Sequence, residues 1–222
     1  MTLGVLGGTF DPIHNGHLAA AAAAQQFLDL ESIVLVPSRM PPHRQDPVGA
    51  SAEQRYEMAA LAAAERPGWS ASRIEIDRQG PSYTFDTLAE LRQDMSIRLK
   101  PDTTASGTQI FFILGADAFA EIATWSRYPD ILGLAHFVVV SRPGITLDSL
   151  RDRVPSAFPS TSLGASDRKT SAQTRVILVE ATTPNVSSTD IRRRIRAGER
   201  LSGLVPDVVA DYIQGHRLYV GN

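Results

Sequence analysis

The 222-residue sequence contains no cysteine. This absence excludes a disulfide framework, a zinc–thiolate site and catalysis by a thiol. The N-terminus also lacks a basic segment followed by an apolar run and a small-residue cleavage site, which a secretory signal would require. Since a chain without cysteine fits a reducing compartment, we expect a cytoplasmic protein.

An excess of charge of one sign is missing as well, because 22 Lys and Arg residues stand against 24 Asp and Glu residues. A net charge of −2 gives no global attraction to nucleic acid or to an anionic membrane, so neither is expected as a partner. A small anionic ligand needs only a local pocket. The alanine-rich run 18–24 is too short to span a bilayer and predicts a helix.

Short apolar runs alternate with helical patterns along the chain. The apolar runs predict strands over residues 2–6, 33–36, 71–76, 110–114, 137–140 and 176–179. The helical patterns predict helices over residues 17–28, 51–65, 83–95, 189–197 and 207–214. This alternation indicates a doubly wound, mostly parallel α/β sheet, with the whole chain, 1–222, as a single domain. The polar stretches 96–108 and 155–174 are expected to be surface loops.

The first candidate site follows the first strand, where residues 7–17 read GGTFDPIHNGH and lead into a helix. Ligands of open α/β sheets bind beyond the carboxyl ends of the strands. Gly7 and Gly8 permit a close approach of the backbone, and the free N–H groups at the start of the helix favour a phosphate. His14 and His17 lie three residues apart, so both imidazoles can donate to the same phosphate group.

Two common nucleotide-binding motifs are absent. Residues 4–8 do not supply Gly-x-Gly-x-x-Gly, and Gly-Lys followed by Ser or Thr occurs nowhere in the chain. The usual dehydrogenase and kinase-type interpretations therefore lose their main support. A simple turn followed by two surface histidines is the remaining alternative, but it does not account for so specific a run of residues.

A second candidate site lies near the C-terminus, where residues 186–192 read VSSTDIR. Ser188 or Thr189 is predicted to cap a helix, and Arg192 would lie in its first turn. A helix start with hydroxyl groups and an arginine can hold phosphate. Taken alone, however, these residues fit a capped surface helix with a solvated basic face better than they fit a phosphate site.

Together these segments resemble the nucleotidyltransferase superfamily marked by His-x-Gly-His. More narrowly, the sequence is similar to the bacterial nicotinate-mononucleotide adenylyltransferases. The narrower resemblance is carried by PSYTFDTL at 81–88, FILGAD at 112–117, Trp125 and SRPG at 141–144. It implies a Rossmann-like nucleotidyltransferase fold. It also implies an enzyme that converts ATP and nicotinate mononucleotide to deamido-NAD and pyrophosphate.

The resemblance also implies which residues bind ATP. His14, His17 and Arg192 would be catalytic, with His17 at the α-phosphate and Arg192 at the leaving pyrophosphate. The full set implied for ATP binding is Gly7, Gly8, Thr9, Phe10, His14, His17, Ser188, Thr189 and Arg192. Mg²⁺ would accompany ATP, held mainly by phosphate oxygens and water, with no protein metal ligands.

Four further residues are expected to bind the mononucleotide. Trp125 can stack on the flat pyridine ring, and Thr84 at a helix start can donate to the nicotinate carboxylate. Asp117 can accept from a ribose hydroxyl or help to hold a metal, and Arg142 can bind the phosphate. A core tryptophan, a helix-capping aspartate and a loop arginine are the corresponding structural alternatives.

Other functions remain alternatives at this point. Nicotinamide mononucleotide differs from nicotinate mononucleotide only by an amide in place of a carboxylate. Phosphopantetheine is a less suitable acceptor, because the segments around Thr84, Trp125 and Arg142 resemble the nicotinate branch. A catalytically silent nucleotide-binding protein is disfavoured by the presence of both histidines and Arg192. The sequence leaves open whether copies of the chain form a homo-oligomer.

Overall fold

The structure is a computed structural model, and it describes residues 1–41, 49–98, 108–141, 147–157 and 175–220. Within these ranges six strands form one sheet: β1 Thr2–Gly8, β2 Ser32–Pro37, β3 Trp69–Ala71, β4 Gln109–Gly115, β5 His136–Val140 and β6 Val176–Val179. Every neighbouring pair is parallel, and the strand order is β3-β2-β1-β4-β5-β6. The predicted doubly wound α/β fold is confirmed.

The described residues also form seven α-helices: α1 Asn15–Leu28, α2 Ala52–Ala64, α3 Thr84–Arg98, α4 Ala116–Ala120, α5 Leu147–Arg153, α6 Ser188–Arg196 and α7 Asp207–Gly215. They cover both faces of the sheet. Alternate strand residues point to opposite sides, so neighbouring residues of one strand pack against different helices. Phe111 packs in the cluster that includes residues of α1, α2, α6 and α7. Phe112, the next residue of β4, packs with residues of α3, α4 and α5.

Most predicted boundaries differ from the structure by one or two residues, and two predicted segments differ by more. The strand predicted over 71–76 is wrong, since β3 ends at Ala71 and residues 74–76 form a turn. The turn is closed locally: Asp77 N–H donates to the Arg73 carbonyl, and the Arg73 guanidinium binds the Asp77 carboxylate. The predicted loop 96–108 begins later than expected because α3 continues to Arg98. Most of it, 99–107, and 158–174 of the second predicted loop lie outside the described residues.

Ser51 and Gln54 have the spacing of a capping box in the sequence, and the structure confirms this cap at the start of α2. Ser51 is the N-cap, its Oγ accepts from the Gln54 N–H at 3.2 Å, and the Gln54 side chain accepts from the Ser51 N–H at 2.9 Å. This reciprocal pair satisfies two N–H groups that a helix start otherwise leaves without partners. In the described parts of the chain, no helix is long and apolar enough to span a membrane.

A buried histidine at the start of β5 makes stability depend on pH. His136 stacks on Phe111 with 4.8 Å between ring centroids, and no described residue bonds its Nδ1. Burial, helped by the charge of Arg175, lowers the pKa of His136 below its ordinary 6.5. The unfolded chain therefore takes up this proton at higher pH than the folded chain does. The contribution of neutral His136 to the free energy of unfolding is therefore fully present above about pH 6.5. It is lost as the pH falls towards the folded-state pKa of this side chain.

We expect His136→Phe to weaken this acid sensitivity. Urea unfolding of the wild type at about pH 7.5 and about pH 5.5 should show a loss of stability that is smaller in the variant. His216→Phe, at an exposed position of the same residue type, is the matched control and should keep the wild-type loss. An identical pH dependence in wild type and His136→Phe would contradict the prediction.

Candidate active site

A cavity of about 290 Å³ lies at the carboxyl ends of β1 and β4, where the strand order reverses. Doubly wound sheets bind their ligands at this position. The lining includes seven of the residues predicted from the sequence, namely Gly7, Gly8, Thr9, His17, Thr84, Asp117 and Trp125. The fold therefore brings the predicted phosphate-binding segment and three of the four predicted mononucleotide-binding residues to one cavity.

A second cavity of about 280 Å³ adjoins the first. The two share Ser82, Thr84, Ala118 and Trp125 in their linings. Trp125 is half-buried, and its indole forms a T-shaped pair with the Phe112 ring, with 6.2 Å between the ring centroids. Because Thr84 is the first residue of α3, the free N–H groups of that helix start lie at the same wall. This wall offers an aromatic surface beside hydrogen-bond donors.

The two motif histidines form the N-terminal cap of α1. His14 Nδ1 accepts from the His17 N–H, and His17 Nδ1 accepts from the His14 N–H, each at 3.3 Å. Their rings stack with centroids 3.6 Å apart and planes 19° apart. Since Nδ1 of each ring accepts a hydrogen bond, each neutral ring carries its proton on Nε2. The cap therefore orients Nε2–H of both histidines as donors, which is the form that a phosphate oxygen needs.

The histidines differ in their access to the cavity. His14 is buried, with 2% of its surface exposed, whereas His17 is half-buried and lines the cavity. A side chain at position 16 would be crowded, because a Cβ there would lie 3.0 Å from His14 Nδ1 and 3.3 Å from the Pro184 carbonyl oxygen. The sequence prediction that both rings share one face is confirmed by their stacking, and His17 is the one at the cavity wall.

Phe10 holds this arrangement from the core. Its ring is buried and makes a T-shaped contact with His17 at 5.1 Å. A Cβ on Gly8 would lie 2.7 Å from the Phe10 ring, so a side chain at that position would displace the phenylalanine. The side chain of Phe10 thus packs against His17, and its backbone is the part available for the ATP contact predicted from the sequence.

The second predicted phosphate-binding segment, residues 188–192, contacts the loop between β1 and α1. Ser188 Oγ donates to the Pro12 carbonyl at 2.9 Å, and Arg192 Nη1 donates to the Asp11 carbonyl at 2.6 Å. Arg192 Nη2 donates to Thr189 Oγ1 at 3.2 Å. Ser188 and Arg192 therefore lie against residues 11–12, Thr189 is bonded to Arg192, and none of the three is in the lining of the cavity.

The prediction that Ser188 or Thr189 caps α6 is wrong. The N-cap is Ser187, whose Oγ accepts from the Asp190 N–H at 3.1 Å. The Ser188 hydroxyl instead donates to the loop before α1. This tertiary hydrogen bond replaces the capping role that the local sequence pattern predicts for it. Arg142, the fourth predicted mononucleotide-binding residue, lies outside the described residues, and its role stays a prediction.

Asp11 is a residue of the motif that sequence reasoning did not single out. Its carboxylate is buried and accepts from the N–H groups of Gly49 and Ala50 at 2.9 and 3.0 Å. It also accepts from the Tyr219 hydroxyl at 2.9 Å. These donors come from distant parts of the chain, and nothing in the local sequence indicated that they would meet Asp11.

Arg55 was also missed. It is fully buried, and its guanidinium donates to the carbonyls of Thr9 at 2.7 Å, Ser38 at 2.5 Å and Arg39 at 3.1 Å. Arg55 thus ties the loop after β1 to the loop after β2. A signal was present: residues 55, 58, 59 and 62 lie at helical spacing, and the other three are apolar and buried.

Glu75 is a third unpredicted residue, and it lines the cavity. Its carboxylate accepts from the Thr87 hydroxyl at 2.6 Å and from the Ser82 hydroxyl, while Ser82 Oγ accepts from the N–H groups of Arg39 and Met40. Burial raises the pKa of Glu75, against the opposing effects of these hydroxyls and of the charge of Arg78. The network fixes the start of α3 relative to the end of β2.

The helix starts give the cavity its electrostatic character. Gly16 and His17 belong to the first turn of α1, Thr84 begins α3, and all three line the cavity. The partial positive charge of a helix N-terminus favours an anion. Glycine-rich backbone, an imidazole donor and two helix starts at one cavity suit a ligand with several phosphate groups, while Trp125 suits a flat ring.

Comparison with known proteins agrees with this geometry. A sequence model of the cytidylyltransferase-like family matches residues 5–194. A protein of Acidothermus cellulolyticus described as a "probable nicotinate-nucleotide adenylyltransferase" is 41% identical over 217 residues, covering 98% of this chain and 93% of its own. A protein of Moorella thermoacetica with the same description is 39% identical, covering 98% and 91% of the two chains.

A solved structure shows the same fold. The Plasmodium falciparum nicotinic acid mononucleotide adenylyltransferase complexed with NaAD superposes with a TM-score of 0.67 at 16% identity. The superposition covers 98% of this chain and 97% of that one. At this identity the likeness concerns the arrangement of strands and helices.

Proposed function

The chain belongs to the cytidylyltransferase-like family and, within it, to the nicotinate-nucleotide adenylyltransferases, and we propose that it joins ATP to nicotinate mononucleotide. The products are deamido-NAD and pyrophosphate, which places the enzyme in NAD biosynthesis. The observation that carries the proposal is the shared cavity, which Gly7, Gly8 and His17 line together with Thr84 and Trp125. We further propose that the whole chain, 1–222, works as a single domain.

The proposed reaction is a direct in-line transfer. A 5′-phosphate oxygen of the mononucleotide forms a bond to the α-phosphorus of ATP. The bond from that phosphorus to the oxygen bridging to the β-phosphorus breaks, and pyrophosphate leaves with the electron pair. This route requires no covalent enzyme intermediate. The protein then contributes positioning and neutralisation of phosphate charge.

The geometry supports a division of labour on the ATP side. Nε2–H of His17 and of His14 would donate to phosphate oxygens, with His17 at the α-phosphate because it lines the cavity. Gly7, Gly8, Thr9 and Phe10 would offer backbone groups. Ser188, Thr189 and Arg192, next to residues 11–12, would hold the departing pyrophosphate.

On the acceptor side, Trp125 would stack on the pyridine ring, and the start of α3 at Thr84 would bind the nicotinate carboxylate through N–H groups. Asp117 would accept from a ribose hydroxyl, and Arg142 would bind the mononucleotide phosphate. An amide in place of the carboxylate presents its own N–H donors to the helix start, so nicotinamide mononucleotide fits this wall less well.

Mg²⁺ is proposed to accompany ATP. Within the described ranges, no group of three or more His, Cys, Asp or Glu side chains is placed to hold a metal ion. We propose that this ion is bound mainly through phosphate oxygens and water. Glu75 and Asp117 are the carboxylates in the lining of the cavity. When bound, the ion neutralises part of the phosphate charge.

Release of pyrophosphate tests the function and the acceptor together. Purified protein with ATP and Mg²⁺ should release pyrophosphate on addition of nicotinate mononucleotide, at an initial rate about tenfold or more above that with nicotinamide mononucleotide. Phosphopantetheine should give no release. Equal rates with the two mononucleotides would refute the acceptor preference, and no release with any acceptor would show a silent nucleotide-binding protein.

A further inference from the structure

We propose that Tyr219 is a positioning residue for adenylyl transfer. Its hydroxyl donates a hydrogen bond to the Asp11 carboxylate. Because the carboxylate has this donor, it attracts Arg192 less strongly, and the guanidinium can move to the phosphates of ATP. The inference rests on the proposed function and on the role of Arg192 in it. It adds the C-terminal segment after α7 to the residues that determine how the site binds ATP.

The first observation is the set of donors around Asp11. Three neutral groups donate to this buried carboxylate: the N–H groups of Gly49 and Ala50 and the hydroxyl of Tyr219, at 2.9 to 3.0 Å. The hydroxyl and the Ala50 N–H share Oδ1, while the Gly49 N–H binds Oδ2. A buried carboxylate with several such hydrogen bonds needs a cation less than a bare one does.

The second observation is the position of Arg192. Its Nη1 lies 2.6 Å from the Asp11 carbonyl oxygen but 3.5 Å from carboxylate Oδ2. Close arginine–carboxylate pairs have hydrogen bonds of about 2.7–2.9 Å, often two in parallel. The side chain of Arg192 is 13% exposed, so it is largely but not fully buried. The closest hydrogen bond of the arginine is therefore to a neutral carbonyl, and its contact with the charged carboxylate is the longer one.

The third observation is how firmly Tyr219 is held. Its ring packs in the core cluster that contains Phe10, and a Cβ on Gly49 would lie 2.7 Å from the ring. Burial and the charge of Asp11 both raise the pKa of Tyr219 far above its ordinary value. The phenol thus remains a hydrogen-bond donor throughout the working pH range. Packing fixes the ring, and the ring fixes the direction of the hydroxyl.

These contacts make Asp11 and the phosphates of ATP competitors for one guanidinium. Loss of the Tyr219 hydroxyl leaves Oδ1 with one donor fewer, so the carboxylate attracts Arg192 more strongly. Binding of ATP and of pyrophosphate should weaken, because both require Arg192. Binding of the mononucleotide should not change, since its proposed contacts, at Thr84, Asp117, Trp125 and Arg142, include neither Asp11 nor Arg192.

The test compares Tyr219→Phe with Tyr212→Phe. Tyr212 lies in α7 and also donates its hydroxyl to a carboxylate, that of Glu57, but outside the candidate site, which makes it a matched control. For Tyr219→Phe we expect about a tenfold rise in KM for ATP and in KM for pyrophosphate in the reverse reaction. KM for nicotinate mononucleotide and the circular dichroism spectrum should match those of the control.

Unchanged values for ATP and pyrophosphate in Tyr219→Phe would overturn the proposal. An equal change in all three KM values, or loss of the folded spectrum, would also overturn it, because the hydroxyl would then be structural. Calorimetric titration with Mg-ATP and with inorganic pyrophosphate repeats the comparison without turnover, so it tests the inference even if the proposed reaction fails. In the same titration, Asp11→Asn should bind pyrophosphate at least as tightly as wild type; weaker binding would count against the competition.

Discussion

Replacement of His17 by alanine is expected to lower kcat by about 10²–10³-fold while the protein stays folded. His17 lines the cavity, and its Nδ1 accepts from the His14 N–H, so Nε2–H is the group of this ring that would donate to the α-phosphate. Charge on the phosphate oxygens grows as pyrophosphate departs, and a fixed donor there lowers the barrier. Pyrophosphate release under saturating substrates measures the effect.

The fold should survive because His17 supplies only half of the α1 cap. His14 Nδ1 still accepts from the N–H of residue 17, whatever side chain is present there. His17→Asn is an informative second variant, since its amide oxygen can accept from the His14 N–H while the imidazole donor is lost. His216→Ala, an exposed histidine, is the control and should keep wild-type kcat. Turnover of His17→Ala close to wild type would remove His17 from the chemistry.

Replacement of Arg55 by methionine should cost about 3 kcal/mol of unfolding free energy. The methionine retains most of the apolar stem but leaves the carbonyls of Thr9, Ser38 and Arg39 without the donors that bind them. For a chain of this length such a loss lowers Tm by about 6–12 °C. Differential scanning calorimetry and urea unfolding both measure the change.

Turnover should fall as well, since Arg55 joins the loop that carries Thr9 to the end of β2. Arg55→Lys keeps the charge but has one donor group instead of a planar fork, so it should be intermediate in stability. Arg200→Met, at an exposed arginine, is the control and should change stability by less than about 0.5 kcal/mol. A Tm of Arg55→Met equal to that of the control would show that the carbonyls do not depend on the guanidinium.

The elements that sequence reasoning located well are those with a strong local signal. Continuous apolar runs marked β1, β2, β4, β5 and β6, and the Ser51–Gln54 spacing marked the start of α2. The two failures have different causes, one local and one tertiary. Residues 71–76 read as a strand because apolar residues occur there, yet an Arg73–Asp77 pair and a backbone hydrogen bond close a turn. Ser187 rather than Ser188 caps α6 because the Ser188 hydroxyl found a tertiary acceptor.

The sequence by itself predicts the chemistry of the segment 7–17. Its glycines, its His-x-Gly-His spacing and its place after a strand indicate phosphate binding through interactions within a few residues of one another. The family also follows from sequence, because the matching segments extend along most of the chain. Such features can be recognised without knowledge of the fold, since residues close in sequence stay close in space.

Only the tertiary structure decided which distant groups complete the site. Tyr219 reaches Asp11 across 208 positions, Arg55 reaches Thr9 across 46, and Trp125 joins His17 at one cavity. These meetings depend on the strand order β3-β2-β1-β4-β5-β6, which sets the ends of β1 and β4 side by side. The partner of a buried polar group is the donor or acceptor that packing places within about 3 Å, and a linear pattern does not contain that distance.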